Sequence, residues 1–142
     1  MSDTALSSDE IACSRALAAF IQSFDVRDIA GSLAQLAPDV VWHRQGERLV
    51  GHAQIAKVIQ GLAADRLVRH HLCNLVVHLT GPNSARAKAY YAVYACQGAQ
   101  RPGLISGPER VGDYHAEFSR CAEGWRISLL RAERLFEAVP RG

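Results

Sequence analysis

What the chain lacks narrows its possibilities first. No apolar run approaches the ~18 residues that span a bilayer. Met1-Ser2-Asp3-Thr4 has neither the basic nor the apolar region of a secretion leader, so a cytoplasmic protein away from membranes is expected. No Lys/Arg cluster stands out, and a net charge of +2 is too small to argue for a nucleic-acid partner. Cys13, Cys73, Cys96 and Cys121 form no C-x-x-C pair, and no Cys/His spacing suits a zinc ion. All four are expected to be buried free thiols, as in a reducing compartment. Neither a metal nor a cofactor is expected. Repeats, linkers and low-complexity segments are missing as well, which leaves one domain over residues 1–142, with an ordered core from about 9 to 137.

What is present is ordinary in bulk: 49% hydrophobic and 21% charged residues, enough apolar surface for a sizeable core. The order of elements is more informative. Ser7 and Glu10 have capping-box spacing, and Ile11, Leu17, Phe20, Ile21 and Phe24 follow at helical intervals, predicting a helix from about Asp9 to Phe24. A second helix carries Ile29, Leu33 and Leu36 and stops at Pro38. Val40 to Arg44 reads as a strand, Gln45-Gly46 as a tight turn, and Glu47 to Val50 as a short return strand. A third helix runs from about His52 to Ala64. Four long strands follow: Leu67–Thr80, Ala85–Cys96, Glu109–Cys121 and Trp125–Phe136, joined by the turn Gly81–Ser84, the loop Gln97–Pro108 and the turn Glu123-Gly124. The tail from Val139 to Gly142 is expected to fray. Helices early and long strands late define an α+β fold: a curved, mostly antiparallel sheet wrapped around three helices, ordered α-α-β-β-α-β-β-β-β, with a pocket between the layers.

The stretch Arg69-His70-His71-Leu72-Cys73-Asn74-Leu75-Val76-Val77-His78 stands out because it is a long strand carrying three histidines. Alternation sends His70 and His71 to opposite faces. His70, Leu72, Asn74, Val76 and His78 share one parity; His71, Cys73, Leu75, Val77 and Leu79 share the other, which is the more apolar. Parity alone would turn His71 toward the core, whereas a bulge between His70 and Asn74 would admit His70 instead. His78 is expected in solvent.

Several segments together resemble the SnoaL-like branch of the nuclear transport factor 2-like superfamily, an α+β cone. They are Phe24-Asp25-Val26-Arg27-Asp28, Leu36-Ala37-Pro38-Asp39-Val40-Val41-Trp42, Gly51-His52-Ala53-Gln54-Ile55, Arg69-His70-His71-Leu72-Cys73-Asn74, Gly112-Asp113-Tyr114 and Gly124-Trp125-Arg126-Ile127. The resemblance spans roughly Ile11 to Arg134. It implies that Asp25, otherwise a plain helix cap, leans into the cone and orients a strand histidine. It also implies that this histidine is the one four residues before the asparagine, namely His70. The chain departs from the dehydratase members, which place tyrosines where Phe20, Phe24 and Arg44 stand, and from dehydrochlorinase-like members, whose cation is replaced by Leu129.

Chemistry can use such a pair. An imidazole titrates near neutral pH, and a buried carboxylate fixes its tautomer and stabilises the imidazolium that forms. A His-Asp dyad in a dry pocket can remove a proton from carbon or water, the first step of elimination, isomerisation and ring closure. Asp25 and His70 are therefore the catalytic candidates. Trp42, Arg44, His71, Tyr91, Tyr114 and Arg131 are the candidates for binding substrate, with an arginine or tyrosine as the electrophile. For each of the six a plain packing or surface role competes. The expected function is lyase or isomerase chemistry on an apolar small molecule, cyclic ones included. The alternative is a non-catalytic binding module or an oligomerising accessory domain, which should show a filled cone. A homodimer through the outer sheet face is expected, with His71, Cys73, Leu75, Val77 and Leu79 supplying part of it.

Overall fold

The computed structural model describes residues 6–140. Met1–Thr4 and the last two residues of the tail lie outside the described residues, and so do the expectations attached to them. Among the described residues there are three helices and one mixed six-stranded sheet.

Helix α1 (Ser8–Asp25) starts at a capping box. The Ser7 hydroxyl accepts from the Glu10 amide at 3.2 Å, and the Glu10 carboxylate accepts from the Ser7 amide at 2.7 Å. Its apolar stripe buries Cys13, Ala16, Leu17, Phe20, Ile21 and Phe24 against the sheet. Helix α2 (Ile29–Leu33) is short and is capped by Asp28, whose carboxylate accepts from the Gly31 amide at 2.9 Å. It ends well before Pro38. Leu36 belongs instead to strand β1 (Leu36–Arg44), where it pairs with Ile127 and is almost fully buried. Pro38 sits where the β1 register slips between Leu36 and Val41, so its missing N–H disturbs no regular ladder. Tertiary pairing has overridden the helical pattern there.

Strand β2 (Glu47–Val50), helix α3 (Gly51–Gln60) and strands β3 (Arg66–Gly81), β4 (Ser84–Gln97), β5 (Arg110–Cys121) and β6 (Gly124–Glu137) complete the chain. The sheet order is β2-β1-β6-β5-β4-β3. β1 and β6 are parallel and the other neighbours antiparallel. The helices pack on one face, and the core between the layers is built from Leu17, Phe20, Ile55, Val93, Phe118, Ile127 and Leu130. At the far side Asp9 ties α1 to the last hairpin: its carboxylate accepts from the Trp125 indole at 3.0 Å and pairs with Arg120. Those contacts, the indole hydrogen bond first, hold the Asp9 carboxyl below the usual carboxylate range. Of the cysteines only Cys13 is fully buried; Cys96 and Cys121 are partly buried and Cys73 is exposed, because Cys73 falls on the outer face of β3. All four are free thiols, and no described helix is long and apolar enough to cross a membrane.

Strand β3 lies at the edge of the sheet. An edge strand leaves alternate N–H groups without a ladder partner. β3 also carries a bulge: pairing with β4 runs unbroken from Arg66↔Gln97 to Cys73↔Tyr90, slips, and resumes at Val76↔Lys88. Asn74 at the slip has φ 54°, a left-handed conformation that asparagine tolerates far better than a β-branched residue.

Candidate active site

Asp25 is the last residue of α1. The chain turns away through Val26 and Arg27, the latter at φ 60°. This strained turn is held by the Arg27 guanidinium, which donates to the Ala63 carbonyl and, at 2.5 Å, to the Arg66 carbonyl. Because Asp28 caps the next helix, the Asp25 carboxylate is free to face the sheet. One oxygen accepts the His70 backbone N–H at 2.8 Å, a donor left over by the edge position of β3. The other lies 2.5 Å from His70 Nδ1. Both side chains are buried, at 4% exposure for Asp25 and 6% for His70. An ionised carboxylate only accepts hydrogen bonds, so this contact places the ring proton on Nδ1 and leaves Nε2 with its lone pair. Nε2 has no protein partner among the described residues, and His70 borders the cavity between sheet and helices.

The bulge at Asn74 settles the parity conflict. Upstream of it Val68, His70 and Leu72 face inward; downstream, Leu75 and Val77 do. The slip lies just beyond Cys73, later in the strand than the interval before Asn74. His71 is thereby removed from the substrate-binding candidates: it is exposed on the outer face, with its ring against Tyr94 at 4.9 Å between centroids. The apolar set expected to cover the outer face is split the same way, with Leu75 and Val77 packed on the core. His78 is exposed as expected.

Arg131 is corrected for the same physical reason. Strict alternation from the buried Ile127 would turn Leu129 and Arg131 inward. The β5–β6 register slips between Phe118↔Ile127 and Glu117↔Leu129, so the inward positions become Leu130, Ala132 and Arg134. Arg131 is exposed on the outer face, beside His43 and His115. Also on that face, Asp113, His115 and Glu133 bring their ligand atoms within 4.8 Å of one another, a juxtaposition the sequence did not suggest. Lys88 pairs with Asp113 at 3.5 Å, and His115 Nε2 lies 3.8 Å from Glu133.

The other candidates do line the cavity, which measures about 760 Å³ in its main lobe. Phe20 and Phe24 meet the buried Trp42 edge-on at 5.5 and 5.3 Å, and Phe24 meets the His70 ring at 6.1 Å. Trp42 is mainly a packing anchor, and its indole N–H is buried without a partner among the described residues. Tyr91 and Tyr114 lie with ring centroids 4.5 Å apart. Neither phenol hydroxyl has a protein hydrogen-bond partner among the described residues. Burial pushes both phenols above the ordinary tyrosine value, Tyr114 strongly, so both remain proton donors. Gly112, paired with Tyr91 across the ladder, makes room for this: a Cβ there would lie 2.0 Å from the Glu133 carbonyl oxygen and 2.9 Å from the Tyr91 ring.

Arg44 borders both the main lobe and a second lobe of about 480 Å³ beside Asp25. Burial, then the nearby charge of Arg110, pulls its guanidinium below the ordinary arginine value. Sequence reasoning missed Arg66, Glu109, Arg110, Arg134 and Glu137, which form the rest of the polar wall. Glu109 accepts from Arg66 at 2.6 Å and from Arg110 at 2.5 Å, and Glu137 pairs with Arg134. Arg66, Glu109 and Arg110 lie at or beside the starts of β3 and β5, and on β6 Arg134 follows one slip in pairing and Glu137 two, so strand register reveals them.

An α+β cone with a carboxylate-held histidine at the wall of an aromatic cavity defines a recognisable class. The SnoaL-like domain model matches residues 5–131, and the chain belongs to that family. Solved structures agree on the fold. One provisionally named aromatic ring hydroxylase from Novosphingobium aromaticivorans is 23% identical, with a TM-score of 0.74 and 90% of each chain covered. An NTF2-like protein with a cystatin-like fold from the same organism is 23% identical, with a TM-score of 0.73, over 89% of this chain and 80% of that one. A provisionally named scytalone dehydratase, also from that organism, is 14% identical, with a TM-score of 0.75, over 92% and 88%. At these identities the likeness concerns fold alone. No curated protein sequence matches the chain.

Proposed function

We propose that the protein is a lyase or isomerase that moves a proton with a His-Asp dyad. His70 Nε2 is the general base and Asp25 holds the ring in its reactive tautomer. Tyr114, Tyr91 or Arg44 polarises the substrate carbonyl or leaving group. The observation that carries this reading is the 2.5 Å contact between two nearly buried side chains at the wall of a cavity of about 760 Å³. A hydrogen-bonded carboxylate stabilises the imidazolium that forms when Nε2 takes a proton, and the aromatic floor keeps water from competing. The open cavity also speaks against a purely accessory domain, for which a filled cone is expected.

The test is turnover against hydroxyketones, enones and chlorinated rings. His70→Ala should lower turnover of any substrate found by about 10²–10⁴-fold while circular dichroism stays native. Retained turnover would remove His70 as the base.

A further inference from the structure

The second lobe carries a charge pattern that proton transfer alone does not need. Five arginines and three carboxylates line the two lobes. Four of the arginines are accounted for. Arg27 is engaged by two backbone carbonyls, Arg66 and Arg110 share Glu109, and Arg134 is paired with Glu137. Asp25 is taken by His70. Arg44 remains. Among the described residues it has no carboxylate partner, and its polar contact is Gln45 Oε1 at 3.5 Å, the outer limit of a hydrogen bond. Its guanidinium lies 5.7 Å from the Trp42 ring centroid and 5.9 Å from that of Phe24. Those contacts occupy its face and leave its N–H edge open.

We infer that the substrate of this cavity carries a carboxylate, which Arg44 binds through its N–H edge while the ring-sized apolar body packs on Trp42 and Phe24. The inference rests on the reading of this cavity as a substrate site and names the class of molecule it takes. A half-buried guanidinium without a counter-ion costs solvation energy, and an incoming carboxylate offsets it with two parallel charge-assisted bonds. The excess of positive charge from Arg110 on the same wall acts in the same direction. Arg44 and His70 border both lobes, so a molecule anchored at Arg44 passes the dyad. Among the described residues Arg44 is the one arginine of the two lobes with neither a carboxylate nor a backbone carbonyl partner, and its planar N–H edge matches the two oxygens of one carboxylate.

Naphthoate, naphthamide and naphthyl phosphate are matched probes. Their binding is measured by calorimetry with native protein, His70→Asn, Arg44→Gln and Arg44→Lys, with circular dichroism checking each fold. Naphthoate should bind about tenfold or more tighter than naphthamide, the preference shrinking as salt is raised. Arg44→Gln should erase the preference and Arg44→Lys should keep part of it. Equal binding of the amide, a preference that survives Arg44→Gln, binding of the phosphate alone, or binding of none of the three at millimolar concentration would each overturn the inference. Should Arg44→Gln not fold, the acid-amide comparison in native protein and in Arg44→Lys still decides it. His70→Asn should retain the preference, so a failure here is separable from a failure of the acid/base reading, which turnover alone tests.

Discussion

The two halves of β3 make an instructive contrast. Upstream of Asn74 the strand turns Val68, His70 and Leu72 inward, with His70 at the cavity and Leu72 packed against the core. Downstream, Leu75 and Val77 turn inward and meet packed side chains. A regular strand of this sequence would have presented one parity throughout and could not have served both ends. One left-handed residue shifts the pattern by one, so a single strand turns His70 to the cavity in its first half and Leu75 and Val77 to the core in its second. β6 repeats the device, with Ile127 and Leu130 in the core and Arg134 at the cavity mouth.

Removing the bulge should break the contrast with the largest effect. With Asn74 deleted, either His70 and Leu72 or Leu75 and Val77 must face solvent. We expect a loss of roughly 3 kcal/mol or more, a fall of about 10 °C in melting temperature, and no turnover. A deletion variant that melts within a few degrees of native and still turns over would show that the slip is dispensable. A gentler version leaves the length alone. Asn74→Val puts a β-branched residue at φ 54° and should cost about 1–2 kcal/mol in chemical denaturation, whereas Asn74→Gly should be close to neutral. Equal effects from the two would argue that the left-handed conformation is not maintained.

The cavity side can be sharpened through pH. Burial raises the Tyr114 phenol, so the folded state holds its proton more tightly than the unfolded chain does. Its contribution to stability is complete below about pH 10, the unfolded value, and is lost as pH rises through the higher folded value. The native melting temperature should therefore drop on going from about pH 9 to about pH 11, and the drop should be shallower in Tyr114→Phe. Cys13, whose thiol burial lifts to about 11, contributes equally to both proteins. Identical slopes would mean that Tyr114 is solvated. The smallest effect should come from the neighbour of the base: His71→Ala, on the outer face, should change stability by no more than about 0.5 kcal/mol and leave turnover as it was.

Much of this architecture was legible in the residues. Element order, the first capping box and the hairpin turns follow from local chemistry that tertiary contacts leave intact. The Asp25–His70 pairing was legible only by resemblance, since no local rule links positions 45 residues apart. What escaped was register. Arg131 and Arg134 lie on opposite parities, and the one slip between Ile127 and Leu129 decides that Arg134 is the inward one and Arg131 the outward one. Leu36 carried a helical pattern until a parallel neighbour claimed it, and Cys73 looked apolar enough to bury until the bulge proved to lie after it. These outcomes depend on where a ladder slips, which is decided by packing across the whole sheet.

One carboxylate oxygen of Asp25 is taken up by a backbone donor of an edge strand, and that has a meaning for the fate of the chain outside the active site. Bare strand edges invite pairing with other chains, and here one such donor is stoppered by Asp25, which also holds the His70 ring. The hold on the His70 ring and resistance to clumping thus share a side chain. A change that unlatches Asp25 should cost both together, and variants damaged at this position should be lost first as aggregates on heating.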